Sequence, residues 1–371
     1  MALEIQSYRE EQAAAVQAFN SRLRARGVTY RFPEAATPTT LAPAPGRSIY
    51  WEYFLASEGD VVRGGYAFKH QEMAVDGAVV PIGNYQFPLS EGLIDKHYTS
   101  LGVRFLRHAM RMQPLLYSLG LGGQDVDAAR LLRAGGWRMA DVPFYFRVFR
   151  ARPFLRNIRP LRKTPVRRLL LDTLALTGLG ALALRLDERL LSPARVDAGG
   201  TIAERVDSFA GWADDLWRRS LPHVRMMTAR DGATLDALYP PGDPRFIRLR
   251  VRDGDIPVGW AVLLDTRMTD NPYFGAMRVG TLVDCLALPA AAPAVMLAAT
   301  NHLRDAGADI AVTNQSHALF CGALQQCGFR AGPSNFVLAL SPALAQRIGP
   351  LEHHRDEIHV TRGDGDGPYN L

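Results

Sequence analysis

Two groups of polar residues near the end of the chain have the types that bind metal ions. The neighbours His353 and His354 are followed by Asp356 and Glu357, but no fixed element sets their geometry, so a solvated tail is the better interpretation. The run that begins at Asp364, Asp-Gly-Asp-Gly, looks like the start of a calcium loop but lacks the downstream bidentate glutamate. We therefore predict no metal site.

A run of positive charge is the strongest electrostatic feature. From Arg147 to Arg168 there are nine basic residues and no acid: Arg147, Arg150, Arg152, Arg156, Arg159, Arg162, Lys163, Arg167 and Arg168. Removing these nine from the net charge of +6 leaves −3 for the rest of the chain. The patch therefore predicts an anionic partner, which could be tRNA, a carrier protein or a membrane surface.

The segment after this patch, residues 167–191, is rich in leucine. It is too short and too interrupted by Asp172, Arg185 and two glycines to predict a transmembrane span. We interpret it as a helical linker, with a membrane-surface helix as the alternative, because a basic flank beside an apolar face suits either.

Composition indicates a globular protein of ordinary kind. The 371 residues are 47% hydrophobic and 22% charged, enough for two or three domains that each bury a core. The acidic N-terminus does not resemble a signal peptide, so we expect a cytoplasmic location, with peripheral membrane attachment possible at the basic patch. The three cysteines, Cys285, Cys321 and Cys327, have no zinc spacing and are expected to be reduced.

The predicted elements that must position any site begin with an amphipathic helix at residues 7–26 and a proline-rich loop at residues 31–47. Three β runs follow as an antiparallel meander, Tyr50–Ala56, Val61–Met73 and Val79–Leu89. A turn with Glu91, a helix, a strand at Leu115–Gly120, a second helix and Gly136-Trp137 come next.

This order of elements occurs twice in the sequence. Adding 192 to a residue number takes Gly102 to Ala294 and Gly136-Trp137 to Gly328-Phe329. In each copy, 34 residues separate the first of these positions from the second. The aromatic strand that contains Phe144 and Phe146 likewise maps onto the one that contains Phe336 and Leu338. An internal repeat of this kind predicts two copies of one α/β domain.

The repeated unit resembles the GNAT acyltransferase superfamily, and its duplication resembles the Fem-type aminoacyl transferases and related tandem acyltransferases. The resemblance implies an α/β (α+β) fold of two tandem GNAT-like domains, each with a mixed, mostly antiparallel sheet flanked by helices. We place the domains at residues 1–150 and 201–345, with a basic and apolar linker at 151–200 and a polar tail at 346–371.

The resemblance also implies where a donor would bind. Such families hold the pyrophosphate of coenzyme A on backbone amides at the start of the helix after the fourth strand, where glycine lets the backbone approach. In copy one the corresponding residues are His97, Ser100, Leu101, Gly102 and Val103. In copy two, proline and alanine replace them, so a cradle there is not expected. The donor would be acyl-CoA or an acyl-carrier protein, used as a co-substrate.

The catalytic residues implied by the resemblance are carboxylates. A general base in the family lies on the fourth strand, and Glu91 and Asp284 fall near that strand end in the two copies. The tyrosine that often serves as general acid is replaced by Leu132 and Leu324.

We therefore predict an acyltransferase that moves an acyl group to an amine or hydroxyl of a small-molecule acceptor, a cell-envelope, polysaccharide or secondary-metabolite precursor. The alternatives are an aminoacyl-tRNA-dependent Fem-type transferase, which the basic patch favours, and an inactive tandem scaffold, which the missing tyrosines favour.

Overall fold

The structure is a computed structural model that describes residues 3–182, 200–209 and 211–365. The chain forms two compact units, and neither is a continuous stretch of sequence. Within the described residues, unit 1 comprises 3–141, 225–229 and 335–355, and unit 2 comprises the remainder.

The described elements are sixteen strands and eleven α-helices. The strands are β1 Leu3–Ser7, β2 Tyr50–Glu58, β3 Val61–Val75, β4 Ala78–Ser90, β5 Leu116–Leu119, β6 Arg138–Asp141, β7 Phe144–Val148, β8 Ile202–Arg205, β9 Met226–Thr228, β10 Ile247–Asp253, β11 Ile256–Arg267, β12 Arg278–Ala287, β13 Ile310–Asn314, β14 Arg330–Gly332, β15 Val337–Leu340 and β16 Ile358–His359. The helices are α1 Ala13–Ala25, α2 Leu101–Met112, α3 Asp127–Ala134, α4 Ala151–Asn157, α5 Pro165–Thr177, α6 Trp212–Ser220, α7 Gly232–Leu238, α8 Ala292–Asp305, α9 Ala318–Gln326, α10 Pro342–Ile348 and α11 Leu351–His354.

Unit 1 is built on sheet A, whose strand order is β1-β2-β3-β4-β5-β15-β6, with β9 also paired to β3. Among these strands every pair is antiparallel except β4 with β5. Helix α1 repeats apolar residues at Val16, Phe19 and Leu23, a spacing that puts them on one face, and that face packs on one side of the sheet. Helix α2 packs on the other side, with Phe105 against Tyr66.

Unit 2 is built on sheet B, with strand order β14-β7-β13-β12-β11-β10-β8. Again only one pair is parallel, β12 with β13. Helices α8 and α9 bury Val295 and Phe320 against one side, and Phe209 packs edge-on against Trp260 5.2 Å away. The prediction of an α/β protein with two mixed sheets flanked by helices is confirmed.

The closing strands differ from the sequence expectation. We expected the strand at Phe144 to close the first domain and the strand at Phe336 to close the second. Instead β7 pairs with β13 and β14 in sheet B, and β15 pairs with β5 and β6 in sheet A. Backbone hydrogen bonds of short apolar strands depend little on side-chain identity, so the repeat indicates a strand at each position but not its partner.

The tail also differs from expectation. Residues 346–371 were predicted as a polar tail. Helices α10 and α11 occupy part of this range, and the residues from Ile358 to Asp364 are almost all buried in unit 2. Polar residues can be buried when they are hydrogen bonded, and the side chains of His359, Thr361 and Asp364 each form at least one hydrogen bond.

The remaining structural expectations concern the linker, the metal and the thiols. Residues 151–182 form α4, a short 3-10 turn and α5, while 183–199 lie outside the described residues. No group of His, Cys, Asp and Glu that could hold a metal ion occurs in the described part of the chain. The three cysteines are free thiols; Cys285 and Cys327 are buried, and Cys321 is half-buried.

Candidate active site

Sheet A opens between β4 and β5. The two strands pair only at Gly83 with Leu116 and at Asn84 with Tyr117, after which they diverge. On the other side of β4 the register with β3 shifts, and Phe87 adopts a left-handed φ of 52°, so this part of β4 is bulged. We call the wedge between the diverging strands cleft A.

The chain leaves β4 and reaches the start of α2 through a short 3-10 turn at Lys96–Tyr98. The Asp95 carboxylate caps this turn by accepting a hydrogen bond from the His97 amide at 2.9 Å. The first amides of an α-helix have no partner inside the helix, and in the described residues none is found for Leu101, Gly102 or Val103.

A cavity of about 370 Å³ lies at this helix start. It is lined by Leu3, Glu58, His97, Tyr98, Ser100, Leu101 and Arg104. Three of the five residues predicted to bind a donor therefore border the cavity, namely His97, Ser100 and Leu101. The other two do not, because Gly102 lies against α3 and Val103 points elsewhere on the exposed surface of α2.

The cavity combines basic groups with one acid whose charge is already paired. The Glu58 carboxylate accepts hydrogen bonds from the Tyr98 hydroxyl at 2.9 Å and from Arg63 at 3.1 Å. The hydrogen bond from Tyr98, followed by the one from Arg63, lowers the pKa of Glu58. Arg104 and His97 are exposed beside the unpaired amides. The arrangement is suited to an anion, because the N-terminal end of the helix dipole and the basic side chains are both positive there.

Gly102 packs against α3. A Cβ added there would lie 3.2 Å from Cδ2 of Leu131, with no other heavy atom within 4 Å beyond its own helix. The side of Gly102 that lacks a side chain thus faces α3. We expected this glycine to let the backbone approach a ligand, and that role stays a prediction.

Glu91 is held by two arginines. It lies at the end of β4, is buried, and directs Oε1 to Arg22 of α1 and Oε2 to Arg63 of β3, the latter at 2.9 Å. Both carboxylate oxygens are therefore engaged in ion pairs that tie α1 to sheet A. Its proposed role as a general base stays a prediction.

Two polar groups on β4 were not singled out in the sequence. The Tyr85 hydroxyl and the Gln86 side-chain nitrogen are buried, and neither has a hydrogen-bond partner in the described residues. Both follow the last residue of β4 that pairs with β5. Burial raises the pKa of Tyr85, so this hydroxyl stays protonated. Buried donors without partners are rare and indicate a place where a ligand or water completes the structure.

Sheet B opens in the same way between β12 and β13, and we call this wedge cleft B. The strands pair from Val279 with Ile310 to Thr281 with Val312 and then diverge. The register between β11 and β12 shifts next to Asp284, so the strand is bulged here as in sheet A.

Residues of the tail fill cleft B. Thr361 forms a bridge with Gln315, directly after β13. The Ser316 amide donates to the Val360 carbonyl at 3.2 Å, and Nε2 of His359 donates to the Cys285 carbonyl of β12 at 2.8 Å. The tail therefore contacts both diverging strands and supplies hydrogen bonds that they do not make to each other.

Asp284 is enclosed by a buried polar cluster. Its Oδ1 accepts hydrogen bonds from Arg230 at 2.9 Å and from the Thr361 hydroxyl at 3.0 Å, and its Oδ2 accepts one from the Tyr239 hydroxyl at 3.0 Å. Arg230 also bonds Asp364 of the tail at 2.9 Å. Burial raises the pKa of Asp284, against the effect of the Arg230 charge. As a catalytic carboxylate Asp284 stays a prediction, and its oxygens are directed at protein groups.

The first residues of α8 in unit 2 are more buried than those of α2 in unit 1. Ala292, Ala294 and Val295 are buried there, whereas Ser100 is exposed at the equivalent place in unit 1. The two leucines that replace the family's tyrosine, Leu132 and Leu324, are core residues.

Solved structures with similar folds include a GCN5-related N-acetyltransferase from Anabaena variabilis, with TM-score 0.50, 12% identity, and coverage of 91% of this chain and 72% of that one. The N-myristoyltransferase of Saccharomyces cerevisiae, solved with bound myristoyl-CoA and inhibitors, has TM-score 0.50, 13% identity, and coverage of 91% and 79%. A probable N-acyltransferase from Enterococcus faecalis has TM-score 0.51, 9% identity, and coverage of 93% and 74%.

The fold is GNAT-like, with two sheets. At these identities the similarity establishes the fold alone. No family model matches the sequence, and no curated protein matches it either. The resemblance to Fem-type enzymes stays a prediction. Among the described residues, no helix is long and apolar enough to span a membrane.

Proposed function

We propose that the protein is an acyltransferase that takes an acyl group from acyl-CoA, with the donor's phosphates in the cavity at the start of α2 and its thioester in cleft A, and transfers it to an amine or hydroxyl. The observation that carries the proposal is the cavity at the start of α2, bordered by His97, Ser100, Leu101 and Arg104 beside unpaired helix amides. Support also comes from the fold, since a neighbour of the same fold was solved with myristoyl-CoA.

The reaction requires a nucleophile to attack the thioester carbonyl. A carbon–nitrogen or carbon–oxygen bond forms, the carbon–sulfur bond breaks, and coenzyme A leaves as a thiolate that must gain a proton, while the nucleophile loses one. Leu132 cannot supply that proton. We assign Tyr85 as the hydrogen-bond donor to the developing negative charge, because its hydroxyl is protonated, buried and without a partner in the described residues.

The carrier-protein donor and the cell-envelope, polysaccharide or secondary-metabolite acceptor remain narrower versions of this proposal. The Fem-type alternative would require tRNA to bind at Arg147–Arg168, and the scaffold alternative would require that no thioester bind. Glu91 and Asp284 are left without an assigned step, because their oxygens are engaged by arginine, tyrosine or threonine.

Calorimetric titration with coenzyme A tests the donor site. Ser100→Asp and Arg104→Glu each place a negative charge beside the phosphates, and each should weaken binding about tenfold or more, since a charge-assisted hydrogen bond contributes roughly 1.5–3 kcal/mol. Aspartate is a favoured N-cap residue, so Ser100→Asp should keep the helix. Arg111→Glu, an exposed site at the far end of α2, is the matched control and should bind normally.

A second control addresses the choice of cleft. Ala290→Asp adds a charge at the exposed turn before α8 in unit 2 and should leave the affinity unchanged. A loss of binding in Ala290→Asp, with normal binding in Ser100→Asp and Arg104→Glu, would place the donor at cleft B. A wild-type protein that binds no coenzyme A would refute the donor proposal and favour the scaffold.

A further inference from the structure

Helix α5 in unit 2 has an exposed apolar stripe. Val166, Leu169, Leu170 and Leu176 are 78%, 71%, 58% and 66% exposed. With Thr173 between them, their spacing of three and four residues places them on one face of the helix. Leu179 and Leu182, just beyond α5, are also more than half exposed. A contiguous apolar surface of this kind on a water-facing helix indicates an interaction site.

The opposite face of α5 is fixed to unit 2. Ala175 is buried, and the Asp172 carboxylate accepts two hydrogen bonds from the Arg162 guanidinium, at 2.8 Å and 3.0 Å. Arg162 also donates to the Leu155 carbonyl of α4 at 2.8 Å. The orientation of the helix is therefore set by these contacts, and the apolar stripe is the face directed outward.

A basic cavity lies beside the same helix. Its volume is about 660 Å³, and its lining includes Arg156, Arg159, Arg162, Lys163 and Arg168 with the single acid Asp270. Arg159 pairs with Asp270, and Arg162 pairs with Asp172, so two of the five charges are already matched. Arg156, Lys163 and Arg168 are exposed and leave a local excess of positive charge.

We propose that α5 and this cavity form a docking surface for a membrane leaflet that contains anionic lipids. Exposed leucines beside lysine and arginine match the two layers that a leaflet presents, acyl chains and anionic headgroups. At 13 residues α5 is about 20 Å long, too short to cross a bilayer, so it would lie along the surface.

Charge complementarity favours this occupant over the others. A second copy docked through the same face would bring two sets of unmatched cations together, which is unfavourable. RNA would match the cations but would leave the leucine stripe without an apolar partner. The proposal concerns a surface of unit 2 and does not depend on the acyl transfer proposed for cleft A.

Flotation of the full-length protein with lipid vesicles tests the surface. Phosphatidylcholine vesicles that contain phosphatidylglycerol should bind the protein, and vesicles of phosphatidylcholine alone should bind it weakly. Leu169→Glu combined with Leu170→Glu should lower the partition coefficient by on the order of tenfold or more, because apolar side chains leave the lipid. Ile256→Glu, at a site 57% exposed at the start of β11, is the matched control and should bind as wild type.

A charge-reversal variant tests what the basic cavity contributes to vesicle binding apart from the apolar stripe. Arg156→Glu with Lys163→Glu should weaken binding to the anionic vesicles by about fivefold or more for each cation removed, and the remaining binding should depend less on salt. Arg26→Glu with Arg31→Glu makes the same charge change at exposed residues of unit 1 and should have little effect.

Three results would overturn the proposal. The first is equal binding of the wild type and the Leu169→Glu/Leu170→Glu protein to anionic vesicles. The second is a wild-type dimer that this variant converts to a monomer, with no vesicle binding by either. The third is tRNA binding that the charge variant abolishes in a protein that does not float with vesicles. Circular dichroism spectra identical to wild type show that the variants are folded.

Discussion

Cleft A and cleft B are two openings of the same kind, and their contents differ. In each, one parallel pair of strands diverges after two or three residue pairs, next to a bulge and ahead of a helix. Cleft B is filled by Ile358–Asp364 of the same chain, while cleft A leaves the Tyr85 hydroxyl and the Gln86 amide without partners in the described residues.

The difference shows what diverging strands require. Backbone and side-chain groups that lose their neighbouring strand must find other partners, because a buried polar group without one costs about 1–3 kcal/mol. In cleft B the tail supplies several of those partners through His359, Thr361 and Asp364, while Nδ1 of His359 and Oγ1 of Thr281 have none in the described residues. The cleft of unit 2 is thus closed by the tail of the same chain, and we propose that the cleft of unit 1 is the one that receives a ligand.

The largest expected effect concerns the charge that holds the tail. Arg230→Met leaves Asp284 and Asp364 buried without their shared cation, and removing one partner of a buried ion pair costs about 3–5 kcal/mol. Urea denaturation should show this loss of the free energy of unfolding. Arg245→Met breaks the exposed pair with Asp243 and should cost less than about 1 kcal/mol. Equal losses in the two variants would refute the idea that the cluster stabilises the closed cleft.

A second substitution, Gly363→Ala, adds a methyl group where the tail is tightly packed. A Cβ at Gly363 would lie 2.2 Å from the Tyr239 oxygen and 3.3 Å from the Asp284 Cβ, so Gly363→Ala should displace the tail and cost about 1–3 kcal/mol. Amide hydrogen exchange at Val360 and Thr361 should increase. Gly322→Ala is the matched control, because no atom lies within 4 Å of its added Cβ in α9.

The Gly363→Ala variant also tests which of the two clefts holds the donor. Coenzyme A should bind the Gly363→Ala protein with unchanged affinity if the donor occupies cleft A. Weakened coenzyme A binding in this variant, with normal binding in Gly322→Ala, would move the donor site to cleft B.

Lowering the pH should destabilise the protein through His359 in cleft B. Burial lowers the pKa of His359 well below its usual range, whereas in the unfolded chain histidine titrates near about 6.5. Below that pH the unfolded state binds a proton that the folded state does not, so stability falls as pH falls, by about 1.4 kcal/mol per pH unit until the folded pKa is reached. His359→Gln keeps an N–H for the Cys285 carbonyl and should reduce this pH dependence of urea denaturation. An unchanged slope would show that His359 is not the group responsible.

Much of the fold could be read from the sequence because it depends on local patterns. The alternation of the three meander strands and the spacing of Gly102 from Gly136-Trp137 predicted the order of elements and the doubling. The start of α2 was also predictable, since a turn followed by apolar residues at helical spacing is a local signal. These features involve neighbours in the sequence and therefore leave a trace in it.

Which residues occupy the clefts depends on contacts between residues that are far apart in the sequence, and such contacts leave no local pattern. Glu91 is engaged by Arg22, 69 residues away, and Arg230 reaches Asp364 across 134 residues. Side chains that meet through folding cannot be paired from one sequence, so the tail was interpreted as solvated and Glu91 as a candidate general base, without its arginine partners. For the same reason the sequence could not assign β7 and β15 to their sheets.

The smallest expected effect tests why α2 has a glycine where α8 has alanine. A Cβ at Gly102 meets only the flexible end of Leu131, at 3.2 Å, while alanine gains up to about 1 kcal/mol in helix propensity over glycine. The two effects oppose each other, so Gly102→Ala should change the free energy of unfolding by less than about 1 kcal/mol and leave coenzyme A affinity nearly unchanged.

Gly102→Val extends the same test. Its two further carbon atoms crowd Leu131 and should cost about 1–3 kcal/mol, so weak donor binding in that variant would accompany a loss of stability. Adding Leu131→Ala makes room between α2 and α3 and should restore donor affinity if packing is the cause. If Gly102→Ala alone abolished coenzyme A binding at unchanged stability, the glycine would be required for the backbone to approach the donor, and the packing explanation would be wrong.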